Sequence, residues 1–316
     1  MLRPFVISDC ASIVAIWNAA CGASLAINAR LVEYTTRAST GAIQAGQIAL
    51  EHDQPVGFVL ATALPNDPHT SPRDLGWIDA IAVAPRFQNQ GIGNALLAWA
   101  EAFLRAQGCT RARLGGGLRP FAPGLPTELN RADFFHKRDF VARAGSERVW
   151  DVARDLRDLN LTGLPRPVRF ETRPAQPDDA NALGEFFVRE FPNRWRYEYT
   201  EFLRASGSFT NYHLLFTARG IDGFARLTFE NSERPIERFF PHALPRPWGQ
   251  LGPIGVSKDA RGQGYGRALL DAALVYLRAQ GVRGCIIDWT DLVDFYRKFG
   301  FAPHREYVML LKSLNL

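Results

Sequence analysis

The sequence is poor in the features that mark secreted, metal-binding and membrane-spanning proteins. It has four scattered cysteines without C-x-x-C spacing, at Cys10, Cys21, Cys109 and Cys285. This pattern argues against a disulfide framework and against a zinc site. No apolar run approaches the roughly 18 residues that span a bilayer. Because Asp9 precedes any long apolar stretch, the start does not resemble a signal peptide. The sequence therefore predicts a cytoplasmic protein without a metal or a membrane partner.

The charge balance is mildly basic and spread along the chain. The 316 residues carry a net charge of +5, and 47% of them are hydrophobic. Such a composition is typical of a globular protein, and the length suffices for two domains. No basic run is interleaved with aromatic residues, so a nucleic-acid partner is not expected. The positive charge favours solubility and the attraction of a phosphorylated ligand.

The chain repeats itself. Val83–Gly108 aligns without a gap on Val256–Gly281, at an offset of 173 positions, and both copies end in L-R-A-Q-G. Upstream, Arg3-Pro4 and Asp9 recur at an offset of 170 as Arg173-Pro174 and Asp179. A repeat of this length indicates two similar domains in one chain.

The end of each copy repeats with a shorter offset. F-F-H-K-R-D-F at 134–140 matches F-Y-R-K-F-G-F at 295–301, at an offset of 161. The first copy therefore has twelve extra residues, which we place in the Gly/Pro-rich stretch Gly115–Pro126. The join is expected near Asn160–Pro167, where Gly and Pro break regular structure.

These repeats predict a domain from 1 to 160 and another from 161 to 316. Each copy has strands and helices in one order, which indicates an α/β sheet with helices on both faces. The predicted helices are Ala11–Ala20, Leu31–Ser39, Ala180–Arg189 and Tyr197–Ala205, and the predicted strands are Gln47–Glu51, Val56–Ala63, Trp77–Val83, His213–Ala218, Gly223–Phe229 and Leu251–Val256.

A glycine-rich loop follows a strand in each copy and opens an amphipathic helix. Backbone N–H groups of such a loop converge on a phosphate, and the helix N-terminus adds partial positive charge. The candidate phosphate-binding residues are Gln88, Asn89, Gln90, Gly91, Ile92, Gly93 and Asn94 in the first copy, and Arg261, Gly262, Gln263, Gly264, Tyr265, Gly266 and Arg267 in the second. The alternative is a plain structural turn. Two loops with the same pattern favour the phosphate site.

The shared pattern [Q/R]-x-x-G-x-G resembles the most diagnostic motif of the GNAT acyltransferase superfamily, and the resemblance covers nearly the whole chain, once per half. It implies tandem domains, each with a mixed, largely antiparallel twisted sheet whose fourth and fifth strands splay apart. It also implies acetyl-CoA, or another acyl-CoA, as co-substrate. Its pantetheine arm would bond to backbone near Val83 or Val256, and its pyrophosphate would lie on the loop.

The resemblance also implies a catalytic acid. In this family an amine attacks the thioester, backbone N–H groups stabilise the oxyanion and an acid protonates the leaving thiolate. The acid is commonly a tyrosine in a motif like F-Y-x-K-x-G-F, which makes Tyr296 the candidate. The alternative is a tyrosine packed in the core. The first copy has Phe135 at this position and Asp139 in place of the helix-ending glycine, so it is a candidate for a degenerate domain.

Other positions leave alternatives open. Asp79, on the strand before the loop, lies near where some family members place a general base, but it is also a candidate for a solvated or capping residue. Its counterpart is Gly252. Many members of the family have an asparagine that contacts the cofactor. This position is Glu128 in the first copy and Trp289 in the second.

Two segments are candidates for shaping an acceptor site: Phe191–Trp195 and the insertion Asn231–Trp248, which contains Phe239, Phe240, Pro241 and His242. The alternative is that they pack against the other domain.

The leading hypothesis is an N-acyltransferase that acetylates an amine acceptor, a small molecule or a peptide, in the second domain. The main alternative is an acyl-CoA-binding regulatory or structural protein. A dinucleotide enzyme is a weaker alternative, because the G-x-G-x-x-G fingerprint is absent from both loops. Both a monomer and a homodimer remain open.

Overall fold

The computed structural model describes residues 1–160 and 169–314. It forms two compact units. The first unit comprises Met1–Val149 and the described residues from Arg305 onward, and the second comprises the described residues of Trp150–His304. The join predicted near Asn160–Pro167 lies, apart from Asn160, outside the described residues.

The first unit has a seven-stranded sheet in the order β1-β2-β3-β4-β5-β15-β7. Its elements are β1 (Leu2–Pro4), α1 (Cys10–Cys21), α2 (Ala29–Thr36), β2 (Ile43–Glu51), β3 (Gln54–Ala63), β4 (Leu75–Val83), α3 (Ile92–Ala106), β5 (Arg111–Leu114), β6 (Leu125–Pro126), α4 (Ala132–His136), β7 (Val141–Ala142), the start of β8 (Arg148–Asp155), the end of β14 (Ala302–Val308) and β15 (Leu310–Ser313).

The second unit repeats this plan. Its strands follow the order β9-β10-β11-β12-β13-β8. Its remaining elements are β9 (Glu171–Pro174), α5 (Ala180–Glu190), α6 (Arg194–Arg204), β10 (Tyr212–Thr217), β11 (Gly220–Phe229), β12 (Trp248–Val256), α7 (Tyr265–Ala279), β13 (Gly284–Thr290) and α8 (Val293–Arg297).

Each unit takes strand residues from the other half of the sequence. Strand β15 pairs with β5 in the first unit, with Leu311 opposite Arg113. Strand β8 pairs with β13 in the second, with Ala153 opposite Ile286. The grouping in space therefore differs from a simple division of the chain at residue 160.

The repeated Arg and Asp residues make the same contacts in both units. Arg3 donates to Asp9 over 2.6 Å, and Arg173 donates to Asp179 over 2.7 Å. Each aspartate also accepts a backbone N–H three residues earlier, from Val6 in one unit and Gln176 in the other. In both units the guanidinium and this hydrogen bond lower the pKa of the carboxyl group, against the effect of burial.

Each sheet is mixed and splays open beside one strand. Strands β4 and β5 are parallel and pair from Leu75 to Ile78, after which β4 continues to Val83 paired only with β3. Strands β12 and β13 are parallel and pair from Trp248 to Gln250, after which β12 continues to Val256. The pairings β1–β2, β2–β3, β3–β4, β5–β15 and β7–β15 are antiparallel, as are β8–β13, β9–β10, β10–β11 and β11–β12. The predicted fold class is confirmed.

The two long helices carry the core. Helix α3 buries Leu96, Leu97, Ala100 and Leu104, and α7 buries the matching Leu269, Leu270, Ala273 and Leu277. Their N-caps are Gly91 and Gly264, each with φ of 85°. Glycine suits these caps because a side chain rarely adopts that left-handed conformation. Among the described residues, no helix is long and apolar enough to cross a bilayer.

Candidate active site

A cavity of about 410 Å³ in the first unit opens where β4 and β5 splay apart. It is bounded by the end of β4, the glycine-rich loop, the segment from Leu114 to Pro126 and helix α4. The predicted site residues that line it are Asp79, Val83, Gln88, Asn89, Gly91, Gly93 and Asn94, whereas Gln90 and Ile92 do not. The stretch predicted to hold the twelve extra residues thus forms one wall of this cavity.

The first loop is held in shape by its own side chains. Gln88 Nε2 donates to the Val83 carbonyl over 2.9 Å, and Gln90 Nε2 donates to the Arg86 carbonyl over 3.0 Å. Helix α3 begins at Ile92, and its N-cap is Gly91, which has no side chain to cap the first N–H groups. The first N–H groups of α3 therefore keep the anion-binding capacity of a helix N-terminus.

Two arginines border this cavity beside the loop. Arg131 donates to Gln88 Oε1 over 3.2 Å, and Arg138 donates through Nε to Asn94 Oδ1 over 2.8 Å. The Arg138 guanidinium also lies 3.8 Å from the centre of the Phe134 ring. Both arginines add positive charge where the loop offers N–H groups. Sequence analysis missed them, although Arg138 falls within the repeated F-F-H-K-R-D-F motif.

The second loop has the same local geometry. Gln263 Nε2 donates to the Asp259 carbonyl over 2.7 Å, which repeats the Gln90 contact. Gly262 and Gly264 have φ of 76° and 85°. A Cβ added to Gly266 would lie 3.9 Å from its nearest neighbour, a carbon of Val256, in ordinary contact. The second loop is thus a second candidate phosphate site.

Tyr296, the predicted acid, lies on α8 in the second unit. It is 6% exposed and packs in the same core cluster as Val256 and Tyr265. Burial raises the pKa of its hydroxyl to about 12, and the charges of Asp288 and Asp291 act in the same direction. The phenol is therefore protonated at neutral pH, as a proton donor must be. Its counterpart Phe135 lines the cavity of the first unit.

Asp79, the predicted base, is not a solvated residue: it is 3% exposed. It lies at a bulge of β4, since Leu60 pairs with Ala80 while Ala61 pairs with Ile78. A bulge redirects a side chain out of the regular alternation.

Two neighbouring strands hold the Asp79 carboxylate. Its Oδ2 accepts from Thr62 Oγ1 over 2.5 Å and from Gln44 Nε2 over 3.1 Å. Thr62 lies on β3 and Gln44 on β2. Sequence analysis missed both residues, because the strand register that brings them to Asp79 leaves no local motif.

The second unit has a cationic group in the corresponding region. Arg234 donates to Thr228 Oγ1, to Gln250 Oε1 over 2.6 Å and to the carbonyl of Gly252 over 3.0 Å. Gln250 Nε2 in turn donates to Asp288 Oδ1 over 2.6 Å. These side chains connect β11, β12 and β13 next to Gly252, the counterpart of Asp79.

A largely buried carboxylate balances the arginines of this region. Glu198 accepts from Arg194 Nε over 2.8 Å and lies 3.5 Å from Arg226 Nη1. Burial alone would raise the pKa of Glu198, but Arg194, Arg226 and Arg234 outweigh this effect and lower it to about 2. The group is therefore ionised at neutral pH.

The two segments proposed from the sequence for the acceptor site contribute aromatic packing to their own unit. Phe191 and Trp195 pack on Phe224, and a Cβ at Gly255 would lie 2.7 Å from the Phe191 ring. In the insertion, Phe239 and Trp248 belong to one buried cluster.

Two residues replace the cofactor-binding asparagine of the family, one in each copy. The ring centre of Trp289 lies 4.7 Å from the Arg194 guanidinium. Glu128 accepts from Ser24 Oγ over 2.7 Å and from Arg305 Nε over 3.2 Å.

The sequence model of the acetyltransferase (GNAT) family matches residues 25–118 and 180–301, and the chain belongs to this family. The mycothiol acetyltransferase of Nocardia farcinica (strain IFM 10152) is 27% identical over 237 residues, which cover 70% of each chain. The mycothiol acetyltransferase of Geodermatophilus obscurus is 38% identical over 64 residues, 19% of this chain and 21% of that protein.

Solved structures share the tandem fold. A glucosamine N-acetyltransferase region of a fungal multi-domain GH3 β-N-acetylglucosaminidase superposes with a TM-score of 0.85 at 21% identity and covers 98% of this chain. The present chain spans 38% of that protein. A tandem GNAT protein of the clavulanic acid biosynthesis pathway gives a TM-score of 0.70 at 15% identity and covers 100% of this chain and 99% of its own. Both likenesses concern the fold alone.

Proposed function

We propose that the protein is an N-acetyltransferase that moves the acetyl group of acetyl-CoA to a primary amine by direct attack. The observation that carries this proposal is the cavity of about 410 Å³ in the first unit. An uncapped helix N-terminus borders this cavity, and the buried carboxylate of Asp79 also lines it. A phosphorylated acyl donor and a protonated amine each find a complementary group there.

The residues of the cavity fit a CoA thioester, which supplies the acyl group and a thiolate leaving group. The N–H groups at the start of α3, together with Arg131 and Arg138, would bind its diphosphate. The end of β4, from Asp79 to Val83, has no pairing with β5 and offers backbone groups along this splayed edge. Asp79 would accept a proton from the ammonium group of the acceptor. The neutral amine then has a lone pair with which it attacks the thioester carbonyl and forms the new C–N bond.

In the second unit, the residues that support the proposal are the loop Arg261–Arg267 and Tyr296. The Tyr296 phenol, with its raised pKa, would give its proton to the thiolate as the C–S bond breaks. The two candidate groups therefore lie in different units: the base in the first and the acid in the second.

A second candidate function applies to the first unit. Phe135 stands where the acid would stand, and a phenyl ring donates no proton. The first unit would then bind acyl-CoA without turnover and regulate or stabilise the chain.

The names of the relatives support an amine acceptor, since a glucosamine N-acetyltransferase region is among them. We further propose a small-molecule or peptide acceptor, a cytoplasmic location and no metal cofactor. In the described part of the chain, no group of three or more His, Cys, Asp or Glu side chains is placed to hold a metal ion.

The test is thiol release from acetyl-CoA in the presence of a panel of primary amines. Wild type is expected to release CoA with at least one amine. If the first unit performs the transfer, Asp79→Asn is expected to lower kcat by at least tenfold. If the second unit performs it, Tyr296→Phe is expected to have this effect. Asp178→Asn and Tyr276→Phe, outside both candidate sites, serve as matched controls. Without amine-dependent release from wild type the proposal fails. If both site variants match wild type, the two assigned roles fail.

A further inference from the structure

At the point where the sheets splay open, the two units exchange a carboxylate and a glycine between neighbouring strands. Asp79 on β4 has Gly252 on β12 as its counterpart. The parallel pairs β4–β5 and β12–β13 keep one register at the offset of 173, so the counterpart of Gly115, directly after β5, is Asp288 on β13. The second unit therefore has its carboxylate on the strand beside Gly252.

A bulge of β13 directs the side chain of Asp288. The pairing of β13 with β8 shifts after Ile287, where β13 has two residues opposite one residue of β8. Asp288 is the first of these two residues. A bulge redirects a side chain out of the regular alternation, as the bulge of β4 does for the carboxylate of the first unit.

The Asp288 carboxylate lies against the backbone of Gly252. A Cβ added to this glycine would lie 3.3 Å from Asp288 Oδ1. The same oxygen accepts from Nε2 of the fully buried Gln250 over 2.6 Å. Asp288 itself is half-buried, and its Oδ2 accepts no hydrogen bond from the residues that the structure describes. The carboxylate is therefore held at one oxygen and open at the other.

Asp288 also lies within electrostatic reach of the acid candidate. Burial is the main cause of the raised pKa of Tyr296, and the charge of Asp288 is the next. In the first unit, the counterparts of the splay positions and of the tyrosine, which are Asp79, Gly115 and Phe135, all line one cavity. The repeat therefore indicates that the carboxylate and the phenol of the second unit belong to one site.

Two arginines lie close to Asp288 without pairing with it. Arg234 donates to Gln250 Oε1 over 2.6 Å, so it reaches the carboxylate only through this amide. The Arg194 guanidinium lies 4.7 Å from the ring centre of the tryptophan that follows Asp288, and it donates to Glu198 over 2.8 Å. Among the described residues, Asp288 has no ion pair with either arginine. An ammonium group of a ligand would thus meet a carboxylate that no cation already occupies.

We propose that Asp288 is the general base of the second unit and takes a proton from the ammonium group of the acceptor. The inference rests on the proposed function, for which the second unit otherwise has an acid and no base. The neutral amine attacks the thioester carbonyl, the C–N bond forms, and the electron pair of the breaking C–S bond goes to sulfur. Tyr296 protonates the thiolate and regains a proton from the nitrogen, while Asp288 releases its own to solvent.

The test measures thiol release from acetyl-CoA with the panel of primary amines, in a chain that carries Asp79→Asn and so lacks the base of the first unit. Asp288→Asn in this background is expected to lower kcat at least tenfold, with CoA binding unchanged by calorimetry. The fold should be kept, because the asparagine oxygen still accepts from Gln250. The matched control is Asp291→Asn, which removes an exposed carboxylate that also acts on Tyr296. It should lower kcat by less than about threefold, because exposed charges act weakly.

Chemical rescue separates proton transfer from a structural role. Asp288→Ala leaves space beside Gly252, and added formate is expected to restore part of its turnover but none of the turnover lost in Tyr296→Phe. A lowered unfolding midpoint without rescue would assign Asp288 a structural role instead.

The outcomes distinguish this inference from the proposed function. No amine-dependent release from wild type defeats the proposed function, and the base role with it. Turnover that falls in Tyr296→Phe but not in Asp288→Asn overturns the base role alone. The base role also fails if Asp79→Asn by itself abolishes all turnover, because the second unit then performs no transfer.

Discussion

Thr62 and Thr228 occupy the same position in the two sheets but contact groups of opposite charge. Thr62 pairs with Trp77, and Thr228 pairs with Gln250, the counterpart of Trp77 at the offset of 173. Thr62 Oγ1 donates to the carboxylate of Asp79, whereas Thr228 Oγ1 accepts from the guanidinium of Arg234. The repeat has therefore kept the hydroxyl and reversed the charge beside it. The two units are suited to different chemistry.

The first prediction concerns the Thr62 hydroxyl. Thr62→Val removes a donor to the Asp79 carboxylate, which disfavours the charged form. If Asp79 is the base, the acidic limb of the kcat/KM profile should move to higher pH in this variant. Thr62→Ser keeps the donor and should restore the wild-type profile. A purely structural role would instead lower activity equally at all pH values.

The second prediction concerns the missing acid of the first unit. Phe135→Tyr places a phenol on the cavity wall, at the position that Tyr296 occupies in the second unit. It is expected to raise turnover about tenfold at the first site, measured by thiol release. Phe103→Tyr, on α3 away from the cavity, should leave the rate unchanged. The gain should vanish when Asp79→Asn is added, and a gain that persists would show that the first site is not its source.

The third prediction separates cofactor binding from fold stability at the second loop. In Gly266→Ala the new methyl group meets protein atoms at ordinary contact distance, so the variant should fold. Alanine in a helix should add about 0.5 kcal/mol to the free energy of unfolding. The methyl group would nevertheless lie on the surface assigned to the diphosphate.

Calorimetric titration with CoA checks this prediction. Wild type is expected to bind two CoA molecules per chain and Gly266→Ala one, while urea unfolding shows equal or greater stability. Wild-type stoichiometry in the variant would contradict the assignment of this loop.

The fourth prediction concerns pH and stability. His213 is 4% exposed, and neither ring nitrogen has a hydrogen-bond partner within the described structure. Burial lowers its pKa from 6.5 to about 4. Between pH 6.5 and pH 4 the His213 ring binds a proton in the unfolded chain but not in the folded one. The free energy of unfolding therefore has its full value above pH 6.5 and falls as the pH drops toward 4.

The expected loss is up to about 3 kcal/mol, measured as the free energy of unfolding in urea at several pH values. His213→Leu should remove this contribution. The exposed His69→Leu should keep the wild-type dependence. Equal slopes for wild type and His213→Leu would contradict the prediction.

The parts of the structure that sequence could predict are those encoded locally. The glycine-rich loops, the apolar stripes of α3 and α7 and most strands depend on residues a few positions apart. Helix α1 is predicted at Ala11–Ala20 and observed at Cys10–Cys21. The burial of Asp79 was not predictable in this way, because it depends on the bulge of β4 and on the register of β2 and β3.

The exchange of strands was also beyond local patterns. The pairing of β8 with β13 and of β15 with β5 joins residues far apart in the sequence, which no local pattern indicates. Similarly, Arg234 lies in an insertion that the first half lacks, and no repeat pointed to its contact with Thr228. Composition likewise does not distinguish the aromatic residues Phe191 and Trp195 as core packing from the lining of an acceptor pocket.

The strand taken from the other half has a consequence for how the protein is made. Lys312 on β15 contacts Glu101 on α3, 211 positions earlier in the sequence. During synthesis the edge of β5 in the first unit stays without its partner strand β15 until the whole second unit has left the ribosome. Contacts between such distant residues slow folding and prolong the exposure of an unpaired edge. Synthesis and folding of the two halves are thus coupled, and neither half alone is a finished folding unit.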